Sequence, residues 1–185
     1  VHVGKNNAVA FNSLAVCEGN ATSFNNTTDS TGSGGVNWIW NFGDNTSTNT
    51  YSASHNYTTG GTYSVLLTAT TVDGCIDSLR KETRVNFQPH ANFTVADICL
   101  NQQSNFNNAT SINGGGFSSN WSLGDGSASI QNSPLHTYAS FGTFSVLLVV
   151  TADSGCVDSI RKTTQVFDVP VANYRVDSVC LGETS

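Results

Sequence analysis

Hydrophobic and polar residues alternate through much of the chain. Val36, Trp38, Trp40 and Phe42 share one face, with Asn37 and Asn41 on the other. A period of two marks a strand with one face in a core. The run recurs as Phe117, Ser119, Trp121 and Leu123. Trp40 and Trp121 therefore read as central core aromatics. Trp38 has no aromatic counterpart and reads as peripheral. The strongest strands are Thr62–Thr70 and Thr143–Thr151, with Tyr63, Val65, Leu67 and Ala69 inward in one and Phe144, Val146, Leu148 and Val150 in the other. Leu66, Leu147 and Val149 fall on the outward face. Asp73-Gly74 and Ser154-Gly155 turn the chain into a last strand, Cys75 to Val85 and Cys156 to Val166. Its pattern breaks near Asp77-Ser78, which predicts a bulge or a late strand start. Phe24 and Phe106 each sit alone in a polar strand and should point inward. Gly32-Ser-Gly-Gly35 and Asn113-Gly-Gly-Gly116 are turn signals. No stretch carries a helical period of useful length, so the chain is all-β.

The pattern is a duplication. Trp40-Asn-Phe-Gly-Asp-Asn45, His55-Asn-Tyr57 and Gly61-Thr-Tyr63 return 81 residues later as Trp121-Ser-Leu-Gly-Asp-Gly126, His136-Thr-Tyr138 and Gly142-Thr-Phe144. A third start follows, with Ala172-Asn-Tyr174 matching Ala91-Asn-Phe93 and Val179-Cys180 matching Ile98-Cys99. The expected division is the end of a preceding repeat at 1–3, repeat 1 at 4–87, repeat 2 at 88–168 and the start of a third at 169–185. The chain reads as an interior segment of something longer. Short linkers, Asn86–His90 and Phe167–Val171, each hold a proline, Pro89 and Pro170. Proline fixes φ and offers no donor, so the joint should be stiff.

Composition narrows the function. Only 11% of residues are charged and the net charge is −6, which argues against a nucleic-acid partner. No apolar run approaches the roughly 20 residues that span a bilayer, so no membrane insertion is expected in this segment. Repeats of about 80 residues gain from a covalent staple. Cys17 and Cys75 fall in the first copy, Cys99 and Cys156 in the second, and Cys180 in the third. Matched pairs read as one disulfide per domain, Cys17–Cys75 and Cys99–Cys156, with Cys180 pairing beyond the segment. Each would close a loop worth about 4 kcal/mol on the chain-entropy model. The alternative is a pair of buried free thiols in each domain. Disulfides imply an oxidising, extracellular compartment.

Trp-x-Phe/Leu-Gly-Asp-Gly/Asn, then His-x-Tyr, then Gly-Thr-Tyr/Phe-x-Val-x-Leu resembles the PKD domain, named after polycystic kidney disease protein. The resemblance covers both complete repeats. Asn45 stands for the usual Gly and Leu123 for the usual Phe. It implies tandem immunoglobulin-like β-sandwiches of about seven antiparallel strands each. The added cysteines and the Gly-Cys-x-Asp-Ser segment look like PKD repeats in large secreted surface proteins of the Bacteroidota, where such arrays occur in gliding and adhesion proteins and in type IX secretion cargo.

Nothing in the pattern calls for catalysis, a metal or a cofactor. Asp44 and Asp125 each lie alone in a turn, without the further acidic residues of a calcium loop. They read as turn-forming residues, beside Gly43 and Gly124. His55 and His136 lack partners at metal spacing. Each reads as a hydrogen bond that orders its loop, with Tyr57 or Tyr138 packed beside it. No Gly-x-Ser-x-Gly elbow and no phosphate loop occur. Asp77-Ser-Leu79, Asp158-Ser-Ile160 and Asp177-Ser-Val179 look like the O-glycosylation acceptor pattern of Bacteroidota, which makes Ser78, Ser159 and Ser178 candidates. The plainer reading is that Asp-Ser shapes a strand start.

Two functions remain open. One is a non-catalytic structural segment of a long surface protein, forming a stiff stalk, fibre or filament. Its partners would be neighbouring repeats, and in a filament identical chains through Leu66, Leu147 and Val149. The other is an adhesin module that contacts protein or polysaccharide through the loops at Thr46–Ser54 and Ser127–Leu135, of which Tyr51 is the one aromatic residue.

Overall fold

The computed structural model describes residues 8–29 and 35–175. The expected repeat end at 1–3, Ser178, Cys180 and most of the Gly32-Ser-Gly-Gly35 turn lie outside them. All regular structure in the described residues is β, as the alternation predicts.

In repeat 1 the strands are β1 (Phe11–Ser13), β2 (Val16–Cys17), β3 (Ala21–Asn26), β4 (Val36–Asn41), β5 (Ser47–Thr48), β6 (Ala53–Asn56), β7 (Gly61–Thr71) and β8 (Ile76–Asn86). One sheet has the order β2-β8-β7-β4-β5 and the other β1-β3-β6. All pairings are antiparallel except β2 with β8, where Val16 faces Val85 and Cys17 faces Asn86. Repeat 2 supplies β9 (Phe93–Thr94), β10 (Ile98–Cys99), β11 (Gln103–Asn105), β12 (Asn107–Asn108), β13 (Phe117–Ser122), β14 (Ala128–Ser129), β15 (Leu135–Thr137), β16 (Gly142–Ala152) and β17 (Val157–Phe167). Its larger sheet, β10-β17-β16-β13-β14, repeats the first. Its smaller one is broken at Phe106, whose amide donates to Pro134 O (3.0 Å) in register with β15, but Pro134 has no N–H to return the bond.

Each core is an aromatic cluster on a tryptophan. Trp40 meets Phe11 edge-on at 5.0 Å, and Trp121 meets Phe93 at 5.1 Å. Both tryptophans are buried, and burial of an indole N–H requires an acceptor. Trp40 Nε1 donates to Thr50 O (3.0 Å) and Trp121 Nε1 to Gln131 O (2.9 Å). Phe24 and Phe106 are fully buried, as their placement in polar strands predicts.

Two expectations are corrected. Trp38 is not peripheral but 8% exposed, covered edge-on by Tyr51 at 5.5 Å. In repeat 2 the matching place is polar: Ser119, also buried, accepts from Asn108 Nδ2 (2.9 Å), which also donates to Asn132 Oδ1 (2.9 Å). The predicted bulge near Asp77 is also absent, since β7 and β8 pair without a break from Gly61↔Val85 to Thr70↔Ile76. The pattern breaks there because Asp77 has a different task. Its Oδ2 accepts the Val9 amide (3.0 Å), and Asp158 does the same for Ala91 (2.8 Å). A carboxylate that receives the incoming first strand takes a place where an apolar residue would otherwise continue the alternation.

Candidate functional site

Two constellations recur or join in this chain. The first is a clasp at one end of each sandwich. Strand β4 ends at Asn41, and the chain must turn back within a few residues to form β5. Gly43 takes φ +84°, and a Cβ there would lie 2.8 Å from Ser64 O. Gly124 has φ +91° and the same approach to Ser145. Only glycine tolerates both the backbone angle and the contact. Asn45 sits at φ 69° where repeat 2 has Gly126 at φ 95°, so the departure from the family's usual Gly keeps the same left-handed conformation.

The turn aims Asp44 at His55. Asp44 Oδ1 accepts from Thr46 N (3.1 Å) and Thr46 Oγ1 (2.6 Å), and Oδ2 lies 2.6 Å from His55 Nε2. A carboxylate only accepts, so Nε2 carries the proton. The Phe42 ring stacks on the imidazole at 4.3 Å, Tyr57 meets it edge-on at 4.6 Å, and Tyr57 Oη donates to Phe42 O (2.9 Å). In repeat 2, His136 Nε2 lies 2.7 Å from Asp125 Oδ2, and Tyr138 Oη donates to Leu123 O (2.8 Å). Leu123 removes the ring stack but keeps the carbonyl.

Partial burial pushes the Asp44 carboxyl upward. The bonds from the Thr46 hydroxyl, His55 and the Thr46 amide outweigh it and hold the group below its usual value. Burial likewise raises Asp125, and the Ser127 amide, His136 and the Ser127 hydroxyl bring it below. Burial pushes the Tyr138 phenol up to about 12, and Tyr57 rises for the same reason. In chemical terms the clasp has little to offer a substrate. His55 Nε2 faces the carboxylate, its ring is covered by Phe42, and the Thr46 hydroxyl gives its proton to Asp44. What it does is tie the β4–β5 turn to β6. The pairing of Asp with His was not read from sequence, although their 11-residue spacing in both copies was its visible signal.

The second constellation lies between the repeats, and it corrects the expected disulfides. Cys17 is bonded to Cys156, with Cα atoms 5.8 Å apart, while Cys75 and Cys99 are free and exposed. Neither Cys17–Cys75 nor Cys99–Cys156 forms. The reason is strand length. Cys17 is level with Asn86, the last residue of β8, whereas Cys75 precedes its first, Ile76. Eleven residues at about 3.3 Å each separate them by about 35 Å, far beyond the roughly 7 Å a disulfide spans. Cys99 and Cys156 are held apart in the same way along β17.

Around the bridge the two sandwiches meet end to end. Phe87 rests against Gly60 of repeat 1 and Gly114 of repeat 2, so close that a Cβ on either would fall within 2.7 Å of the ring. Gln88 Nε2 donates to Val157 O (2.7 Å). His90 and Ser111 exchange backbone bonds, and Pro89 is buried. The turn glycine Gly114 thus has a packing role that its place in a Gly run did not disclose. Among the described residues no group of three His, Cys, Asp or Glu comes together as a metal site would. Ser78 and Ser159 are both exposed on the outer face of the larger sheets.

Two sandwiches of this topology, each closed by the same clasp, define an immunoglobulin-like module in tandem. The chain belongs to the PKD domain family, whose model matches residues 6–87 and again 86–167. Among solved structures, the first PKD domain of Vibrio anguillarum Epp is 30% identical, covering 45% of this chain and 99% of its own, with a TM-score of 0.43. The first PKD domain of the Vibrio cholerae metalloprotease PrtV is 31% identical over 43% of this chain and 98% of its own, with a TM-score of 0.40. A C-terminal fragment of intimin shares the fold over 86% of this chain and 64% of its own, at 13% identity and a TM-score of 0.56. No curated protein matches the chain.

Proposed function

We propose that this chain is a non-catalytic spacer, a stiff segment of a long extracellular stalk or fibre. The observation that carries this reading is the Cys17–Cys156 bridge. A linker alone is one point of attachment and permits bending and twisting. A linker plus a disulfide gives two, and Phe87 fills the space between. Such a joint transmits direction from one sandwich to the next. PKD domains are typical of extracellular proteins, and a disulfide persists in that oxidising environment. The parent protein would be a surface protein of the Bacteroidota type, exported by the type IX route, with its outward Ser78 and Ser159 as O-glycan acceptors. Side-by-side assembly into a filament would use Leu66, Leu147 and Val149, which are half-buried on the outer faces.

Small-angle scattering of the oxidised chain tests the spacer reading. Curves that fit one rigid elongated body support it. Curves that require freely jointed sandwiches while the bridge is intact overturn it.

The adhesin reading has one observation in its favour: the Ser127–Leu135 loop exposes Ile130 (83%) and Leu135 (55%). Apolar side chains at a loop suit a protein ligand better than a polysaccharide. Retention of a protein partner by the isolated chain, lost on Ile130→Ser, would favour it over a spacer.

A further inference from the structure

We propose that the array is a disulfide ladder, in which the corner cysteine of each repeat bonds to the hairpin cysteine of the next. Cys99 then pairs with the hairpin cysteine of the following repeat, and Cys75 with the corner cysteine of the preceding one. This rests on the array reading above.

The two free cysteines stand at positions equivalent to those of the bonded pair. Cys99 stands beside Phe167 at the end of β17 as Cys17 stands beside Asn86 at the end of β8. Cys75 precedes β8 as Cys156 precedes β17. The bonded pair joins the lower end of repeat 1 to the upper end of repeat 2. Cys75 and Cys99 are the same two positions at the two outer ends of the described pair of repeats.

Burial follows that division. At the formed joint Cys156 is 1% exposed and Pro89 is buried, whereas Cys75, Cys99 and Pro170 are exposed. The open end of repeat 2 also shows an apolar patch: Phe141 (60%), Phe167 (52%) and Val169 (44%). Phe141 occupies the place of Gly60, and Asp168 that of Phe87. In repeat 1 a side chain at position 60 would run into the Phe87 ring. A side chain at position 141 is therefore directed at the space equivalent to the one Phe87 fills, so Phe141 supplies the same aromatic knob from a different loop. The occupant of this face is the repeat whose first strand motif, Ala172-Asn-Tyr174, already follows it.

The chemistry is a two-electron oxidation. Two thiols form one S–S bond, and their two protons and two electrons pass to an external disulfide such as oxidised glutathione, which leaves as two thiols.

The test is a chain in which a second copy of residues 91–168 follows Val171, refolded with oxidised and reduced glutathione. Peptide mapping without reduction should show Cys17–Cys156 and a new link from Cys99 to the appended copy's hairpin cysteine. Cys99→Ser should abolish that link alone and leave the appended hairpin cysteine open to alkylation. Circular dichroism and limited proteolysis establish that the appended copy is folded, and a copy that fails is replaced by the natural following repeat. A folded appended repeat with both thiols free overturns the ladder, as does Cys99 bonded to Cys156 of its own repeat. A rigid rod in scattering with free thiols would refute the ladder and leave the spacer reading standing.

Discussion

Cys17 is bonded to Cys156 of the next repeat and lies a full strand away from Cys75 of its own. The bridge spans 139 residues of sequence, and closing so long a loop stabilises the joined pair by about 5 kcal/mol on the chain-entropy model. Alkylation before reduction should therefore label Cys75 and Cys99 and spare Cys17 and Cys156. A tryptic peptide joining Cys17 to Cys75 would contradict the structure. Cys17→Ser should leave each sandwich folded, with unchanged far-ultraviolet dichroism, and loosen only their relation.

The Asp44–His55 clasp should behave as a coupled pair. The side chains are 24% and 16% exposed, so the bond is partly screened. His55→Ala also loses the stack on Phe42, and single variants mix the two effects. A double-mutant cycle of Asp44→Asn with His55→Ala, read by urea unfolding, should give a coupling of about 1 kcal/mol. Additive effects within about 0.3 kcal/mol would show that the contact contributes nothing.

Acid should weaken both sandwiches through the same carboxylates. In the folded chain Asp44 and Asp125 titrate below the ordinary aspartate value of 3.8. The unfolded chain then binds more protons than the folded one in the window just below 3.8, so stability rises with pH there. It is fully present above that value and lost as pH falls through the lower, folded one. Urea midpoints taken from about pH 6 to about pH 2 should fall at the acid end. The Asp44→Asn, Asp125→Asn double variant should start lower and show a shallower fall.

Gly43→Ala tests the backbone of the turn. The new Cβ would sit 2.8 Å from Ser64 O at φ +84°. Both partners are backbone, and neither can move without opening the sheet. A loss of at least about 2 kcal/mol is expected, against about 1 kcal/mol or less for an alanine at an unstrained site. Gly74, also at positive φ but with open space around its Cβ position, is the control, and Gly74→Ala should cost less.

Phe87→Ala probes the joint without touching either core. Circular dichroism should be unchanged. Amide exchange at His90, which donates to Ser111 O on the repeat-2 side of the joint, should quicken by roughly tenfold, equivalent to about 1.4 kcal/mol of local opening. Unchanged exchange would mean that Phe87 does not hold the joint.

The sequence by itself determined the modules. Alternation at Val36–Phe42 and its copy assigns the core strand, because side chains on a strand change face with every residue. The repeated Trp, Asp, His and Tyr assign the family, and Phe24 and Phe106 assign the inward positions of polar strands. Tertiary structure decided how those residues meet. Asp44 lies in the turn after β4 and His55 on β6, and only the turn at Gly43 brings their side chains together. Trp38 is buried because Tyr51 folds over it, a contact made across a loop. The cysteines show the difference most directly. Two per repeat suggested one bridge per domain, but their positions along β8 and β17 place them at opposite ends of each sandwich. End-to-end stacking then brings Cys17 to the neighbour's hairpin, because a disulfide is decided by distance in space and not by membership of a repeat.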